Sequence, residues 1–372
     1  MALPQKKKIK KNKQYSDYCL LFFITNYIIF WCLLLYPNQI TCKFIYNISH
    51  NLLKMPDQMK LGIIGLGKMG GNLALQAIEK NIKTVGKARS RKPELEEKGV
   101  KVVADYETFV SYLSDPKVIY LSLPAGHTID AVLDELLPYL QQGDVVMDGG
   151  NSFYLDSIER EKRLWTQNGI YFLDCGTSGG LDGARYGACF MVGGKHEGIK
   201  IAESILISLA INNYAYMHTG PPGSGHFVKL VHNGIEFGML QAIGEGFELL
   251  HKGGNRFNLD ITKIFKNWSN GSVIRGWLVE LMEKGLREQN FDNIQSYIED
   301  TGEVNWLIQD ALNKEIPIPV ISQSVMELFK SRVKDSDTYK AIALMRHGFG
   351  GHPFGKDKYI AKERITNRIQ KI

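Results

Sequence analysis

The sequence predicts an α/β protein in which a doubly wound parallel sheet is followed by an all-helical C-terminal domain. Three observations carry this reading. From Lys60 onward, short apolar runs alternate with amphipathic stretches, the pattern of a parallel sheet covered on both faces. A glycine-rich turn, "GLGKMG", follows the first of those runs. At "GPPGSG", residues 220–225, strand signals stop and long helical patterns take over.

The expected strands are, in order, "KLGIIGL", "KTVGKA", "VIYLSL", "DVVMDG" and "YFLDC". Amphipathic helices fall between the first four, for example 72–80 and 129–140. Two further apolar runs, "CFMVGG" and "YAYMHTG", extend the sheet. Helical periodicity then covers 227–251, 261–267, 273–287, 305–313 and 320–333. The tail after Phe354 is basic and has no apolar period. The expected layout is an N-terminal extension at 1–58, a nucleotide-binding domain at 59–222, a helical domain at 223–354 and a basic tail at 355–372.

Composition excludes several classes. The chain has 372 residues, 44% hydrophobic and 23% charged, as expected of a globular protein with a sizeable core. The net charge of +6 is matched by Lys6, Lys7, Lys8, Lys10, Lys11 and Lys13 alone. The remainder is balanced and gives no case for nucleic-acid binding. The five cysteines, Cys19, Cys32, Cys42, Cys175 and Cys189, form no C-x-x-C. That usage fits a reducing, cytoplasmic compartment, with no disulfide framework and no metal site. After the basic run comes "YCLLFFITNYIIFWCLLLY", residues 18–36, about the shortest length able to span a bilayer. The preferred reading is a dispensable extension, because "MKLGIIGLG" is a natural start for a domain that opens on a strand. The alternative is a membrane anchor through 18–36.

"GLGKMG" places Gly65, Leu66, Gly67, Lys68, Met69 and Gly70 between a strand and a helix, the context that a Rossmann-like G-x-G-x-x-G requires. The first glycine allows the tight turn, the second lets backbone approach a pyrophosphate, and the third lets helix and strand pack closely. The helix N-terminus offers free N–H groups to the phosphates. The end of the second strand discriminates the cofactors. A carboxylate there would bond the ribose 2′-hydroxyl, and an arginine would accept a 2′-phosphate. Here the position falls near Ala88, beside Arg89 and Ser90, with no carboxylate before Glu94. NADP is the expectation, with NAD as the alternative.

In "SGHFVKLVHNGIEFG", Lys229, His232, Asn233 and Glu236 fall within an arc of about 100° on a helix. Phe227, Leu230, Val231, Ile235 and Met239 take a different, apolar side. Spacing alone leaves two readings open: a solvated polar face, or a base and an acid lining a cleft.

The segments "GLGKMG", "DGGNS", "SGGLDGARYG", "KLVHNGIE" and "RHGFGGH" together resemble the decarboxylating 6-phosphogluconate dehydrogenases, from about Lys60 to Pro353. The length looks like the short form of that family. The resemblance implies that Lys229 removes the 3-hydroxyl proton of a 3-hydroxy acid while hydride leaves C3. It implies that Glu236 protonates C1 of the enediol left by CO₂ loss. No metal is needed, because the 3-keto group accepts the electrons of decarboxylation. By the same resemblance, Asn151, Ser178, Gly179, Gly180, His232, Asn233, Arg346 and His352 hold a phosphorylated sugar acid. Leu123, Pro124 and Ala125 lie over the cofactor, which Asn151 also contacts. A homo-oligomer, dimer or tetramer, is implied, with the tail carrying His352 reaching a neighbour's site.

Three departures concern the phosphate. Phe237 stands where the family has tyrosine. No lysine matches in "TGEVNW". The helical-domain arginine is replaced near Leu328, with Arg332 as candidate substitute. Other β-hydroxyacid dehydrogenases, such as 3-hydroxyisobutyrate dehydrogenases, share the glycine fingerprint and a Lys-x-x-x-Asn. Glu236, His232 and the Arg346/His352 pair argue against that rival. An NAD-dependent aldonate dehydrogenase is a second alternative, and a catalytically silent nucleotide-binding protein a third.

Overall fold

The computed structural model describes residues 59–366. The basic run, the apolar segment at 18–36 and the last residues of the tail lie outside that range. No helix among the described residues is long and apolar enough to cross a membrane.

The apolar runs become strands because each can bury side chains on both faces of one sheet. The strands are β1 (Lys60–Ile64), β2 (Lys83–Lys87), β3 (Lys101–Val103), β4 (Val118–Leu121), β5 (Val145–Asp148), β6 (Tyr171–Ser178), β7 (Cys189–Gly193) and β8 (Tyr216–Gly220), in the spatial order β3-β2-β1-β4-β5-β6-β7-β8. Alternation divides the core in two. Ile63, Met147 and Leu173 enter one buried cluster, while Ile64, Val146 and Phe172 enter another on the opposite face. The first cluster packs under α1 (Lys68–Glu79), α2 (Pro93–Glu96) and α7 (His196–Leu209). The second packs under α3 (Tyr106–Ser111), α4 (His127–Leu136) and α5 (Tyr154–Asn168).

Two features differ from expectation. β3 was not anticipated; it has three residues at the sheet edge, too few to show a period. The sheet is not parallel throughout, because β7 runs antiparallel to β6. A parallel crossover needs a dozen or more residues. The link here holds only the short helix α6 (Gly180–Tyr186), which returns the chain to the same end.

The helical part comprises α8 (Ser224–Gly253), α9 (Ile261–Trp268), α10 (Trp277–Glu288), α11 (Val304–Asn313), α12 (Pro319–Lys330), α13 (Asp337–Gly350) and α14 (Lys358–Thr366). Leu230, Phe237, Phe247, Met282, Ile342 and Met345 belong to its common core. The helix expected from 273 begins later, after Gly276, and Val273 is left 99% exposed. α13 was not read from the sequence. Its "AIALMR" is buried all round, so no polar face marks a period. The basic tail, which shows no apolar period, forms α14, whose Arg364 pairs with buried Glu299.

The sheet itself holds the start of α8. Asp174 on β6 accepts the backbone N–H of Gly223 and of His226, both at 2.8 Å. The His226 ring lies between the Ser157 hydroxyl (2.7 Å) and the Asp148 carbonyl (3.0 Å). Gly225 is required there, since a Cβ would stand 2.3 Å from the Asp174 carbonyl oxygen. The first turns of α8 are therefore fixed beside the C-terminal end of β5 and the middle of β6, next to the carboxyl edge where open α/β sheets place their ligands.

Candidate active site

A cavity of about 1040 Å³ opens at that edge. Its floor begins with the turn after β1. Gly65 has φ +96°, and a Cβ there would meet the Ser122 carbonyl at 2.3 Å. Gly70 would meet the Gly65 carbonyl oxygen at 2.0 Å. Gly67 differs: nothing lies within 4 Å of a Cβ built on it, and it faces the cavity with Lys68 and Met69. The N-terminus of α1 has no side-chain cap and no acidic residue in its first turn. Its N–H groups are left for an anion. Gly65, Leu66 and Gly70 build the turn without lining the cavity.

Leu123, Pro124 and Ala125, after β4, and Asn151, after β5, also line it. Asp148 shapes the loop that presents Asn151 by accepting Gly150 N–H at 3.0 Å and the Ser152 hydroxyl at 2.7 Å. Ala88, Arg89 and Ser90 stand at the end of β2, outside the cavity lining, with Arg89 and Ser90 exposed. Arg91 pairs with Glu96 at 2.9 Å.

The polar stripe of α8 forms the centre of the cavity. Lys229 is 7% exposed; its Nζ donates to Asn233 Oδ1 at 2.7 Å and lies 3.5 Å from His232 Nδ1. His232 Nε2 lies 3.1 Å from the Ser178 hydroxyl. Burial lowers the Lys229 pKa, opposed by the charges of Glu236 and Glu303. Burial also lowers that of His232, helped by Lys229. It raises that of Glu236, opposed by Lys229 and Arg346. The two ends of the stripe are thus pushed towards a neutral amine and a protonated acid. Gly176 makes this approach possible, since a Cβ would fall 2.6 Å from Lys229 Cβ.

The opposite wall is the end of α13. Arg346 is buried and donates to the Glu299 carbonyl at 2.7 Å. Lys68 reaches across to the Gly351 carbonyl at 3.2 Å. Gly179 and Gly180 line the cavity below, and a Cβ on Gly180 would stand 2.1 Å from the Phe349 carbonyl oxygen. Burial, together with Arg346 and Lys68, brings His352 down to about 3, so it is neutral at ordinary pH. Arg346 and His352 reach the same cavity as Lys229 within one chain. The Phe237 ring lies 5.8 Å from the Arg346 guanidinium and offers no hydroxyl.

Arg332 does not fill the gap left in the phosphate contacts. Its guanidinium pairs with Asp300, donates to the Ile298 carbonyl and lies outside the cavity lining. Sequence reasoning also missed lining residues: Arg275, Thr301, Glu303, Tyr359 and Glu363. In sequence, "TGEVNW" is marked only by its lack of a lysine, and Arg275 falls within the helix expected from 273, which begins only after Gly276.

Residues 60–219 match the family model of the NAD binding domain of 6-phosphogluconate dehydrogenase, and residues 225–370 that of the 6-phosphogluconate dehydrogenase C-terminal domain. The NAD(+)-dependent, decarboxylating 6-phosphogluconate dehydrogenase of Haloferax volcanii is 39% identical over 298 residues, 79% of this chain and 98% of that protein. YqeC of Bacillus subtilis, named provisionally for 6-phosphogluconate dehydrogenase, is 42% identical over 297 residues, with the same two shares. The Plasmodium falciparum 6-phosphogluconate dehydrogenase, solved in its apo form and with NADP+ and 6-phosphogluconate, superposes with a TM-score of 0.68 at 28% identity. That match covers 74% of this chain and 62% of the other. The match therefore spans nearly the full length of the two curated relatives and under two thirds of the Plasmodium chain. With both domain models matched in order along a chain whose sheet edge and long helix enclose one cavity, the protein is a member of the 6-phosphogluconate dehydrogenase family, in the β-hydroxyacid dehydrogenase superfamily.

Proposed function

We propose that the chain catalyses the NADP-dependent oxidative decarboxylation of 6-phospho-D-gluconate to D-ribulose 5-phosphate and CO₂. One observation carries this: Lys229 and Glu236 lie two turns apart on one face of α8, in one cavity, with burial pushing their pKa values towards each other. Two turns are about 10 Å along a helix axis, the span of a small sugar acid.

The cavity fits a dinucleotide. The open space at Gly67, the uncapped α1 N-terminus and Lys68 suit a pyrophosphate. A bound nicotinamide would supply the acceptor for the hydride leaving C3. Lys229, as the neutral amine, takes the 3-hydroxyl proton. With C3 at the ketone level, the C1–C2 bond breaks and its electron pair passes into the C2–C3 enediol as CO₂ leaves. The Lys229 ammonium stabilises the developing oxygen charge. Glu236 then gives its proton to the carbon that lost CO₂. Neutral His232, Asn233, Asn151 and Ser178 suit the hydroxyls and carboxylate, and Arg346 and Arg275 suit the phosphate.

NADP rests on Arg89 and Ser90 at the end of β2, where no carboxylate stands. A homo-oligomer is supported by Ile235 (54% exposed) and Met239 (49%) on α8 and Ile274 (56%) before α10, apolar side chains that a second copy would cover. Steady-state kinetics with 6-phosphogluconate, comparing NADP with NAD, tests substrate and cofactor together. The proposal predicts a higher kcat/KM with NADP; a preference for NAD overturns the cofactor, and no turnover overturns the substrate.

A further inference from the structure

Glu303 stands one residue before α11, is 7% exposed and lines the cavity. One carboxylate oxygen accepts from the Thr301 hydroxyl. The other accepts from Asn233 Nδ2 at 3.4 Å. Asn233 Oδ1 in turn accepts from Lys229 Nζ at 2.7 Å. The carboxylate fixes the direction of this chain: it only accepts, so the Asn233 NH₂ faces Glu303 and Oδ1 is left to an N–H of Lys229, charged or neutral. The Asn233 amide between them can take one orientation alone. Removing the carboxylate would free it to turn and leave Lys229 Nζ without its fixed acceptor.

We propose that Glu303 is a positioning residue for the reaction described above: its carboxylate pins the Asn233 amide, which holds Lys229 Nζ at the reacting end of the cavity, and it supplies a counter-charge facing Lys229 and Arg346. The proposal rests on the assignment of Lys229 and Glu236 as base and acid. The groups facing Lys229 are Glu236, Glu303, Cys189 and His232. Those facing Glu236 are Lys229, Arg346 and Glu303. Glu363 on the tail helix also faces Glu303. The Glu303 charge favours the ammonium of Lys229 and disfavours the carboxylate of Glu236. Its loss therefore lowers both pKa values. Activity needs Lys229 neutral and Glu236 protonated, so the acid and basic limbs of the rate profile both move to lower pH.

The test is the pH dependence of kcat/KM for 6-phosphogluconate in the wild type, Glu303→Gln and Glu303→Asp. For Glu303→Gln the whole bell moves down by about one pH unit and kcat at the optimum falls about tenfold. Glu303→Asp keeps the charge but shortens its reach, so its bell stays in place while kcat falls. A Glu303→Gln bell in the wild-type position overturns the proposal, as does a Glu303→Asp enzyme with wild-type kcat. If Glu303→Gln fails to fold, the Glu303→Asp result decides alone. A wild type without decarboxylating turnover would instead overturn the functional reading on which the proposal rests.

Discussion

At the residue scale, one physical cause acts on Lys229 and Glu236 with opposite signs. Burial disfavours a charge of either sign, so it lowers a lysine and raises a glutamate. Activity needs Lys229 neutral and Glu236 protonated, so the rate profile should be a bell whose two limbs are set by a lysine below its ordinary range and a glutamate above its own. Lys229→Met should lower kcat by about 10² to 10⁴-fold while NADP binding, followed by fluorescence titration, is retained. Persistent turnover would remove Lys229 as the base. Arg89→Ala should raise KM for NADP about tenfold, the scale of one charged contact, and leave KM for NAD unchanged. The polar stripe that holds Lys229 and Glu236 was legible in the sequence because its spacing is helical, while the proposed roles of base and acid came from the family resemblance. Glu303 was not, because it enters the cavity from a loop whose register no periodicity fixes. Arg332 was misplaced for a related reason: proximity in sequence says nothing of Asp300, which occupies its guanidinium.

At the element scale, the glycine turn and α8 could be read directly, because each carries its signature within a dozen residues. The reversal of β7 could not, since it depends on how far a ten-residue link can travel. α13 could not either, because a helix buried on every side loses its polar stripe. Its N-terminus makes a separate prediction. Ser336 caps the helix, and its hydroxyl donates to Glu248 at 2.8 Å, while Thr338 N–H donates to Glu248 at 3.3 Å. Burial pushes Glu248 up, but the bonds from Lys252, Thr338 and Ser336 outweigh it and hold Glu248 at about 2. A carboxylate with a lowered folded pKa stabilises the fold above its unfolded value, and this contribution fades as pH falls towards the folded one. Urea unfolding should therefore show stability falling from about pH 5 to about pH 2, with a flatter slope in Glu248→Gln. Ser336→Ala should cost about 1 kcal/mol. Equal slopes in the two proteins would remove Glu248 from the account.

At the scale of the whole molecule, the sheet brings the glycine turn to the cavity and the helices bring Lys229, Glu236 and Arg346, and Asp174 ties the two together at the start of α8. The order of a sheet followed by a helical part was legible in the sequence, because it depends on the order of elements. That the tail lines the cavity through Tyr359 and Glu363 was not, because the pairing of Arg364 with Glu299 exists only in the folded chain. The exposed apolar residues of α8 predict association: light scattering should give a multiple of the chain mass, and Met239→Glu should shift it towards the monomer. The central claim is that this cavity couples oxidation to loss of CO₂. The most direct test supplies 6-phosphogluconate and NADP and measures CO₂ and reduced cofactor in the same reaction. The account predicts one CO₂ for each reduced cofactor; reduced cofactor without CO₂ would contradict it.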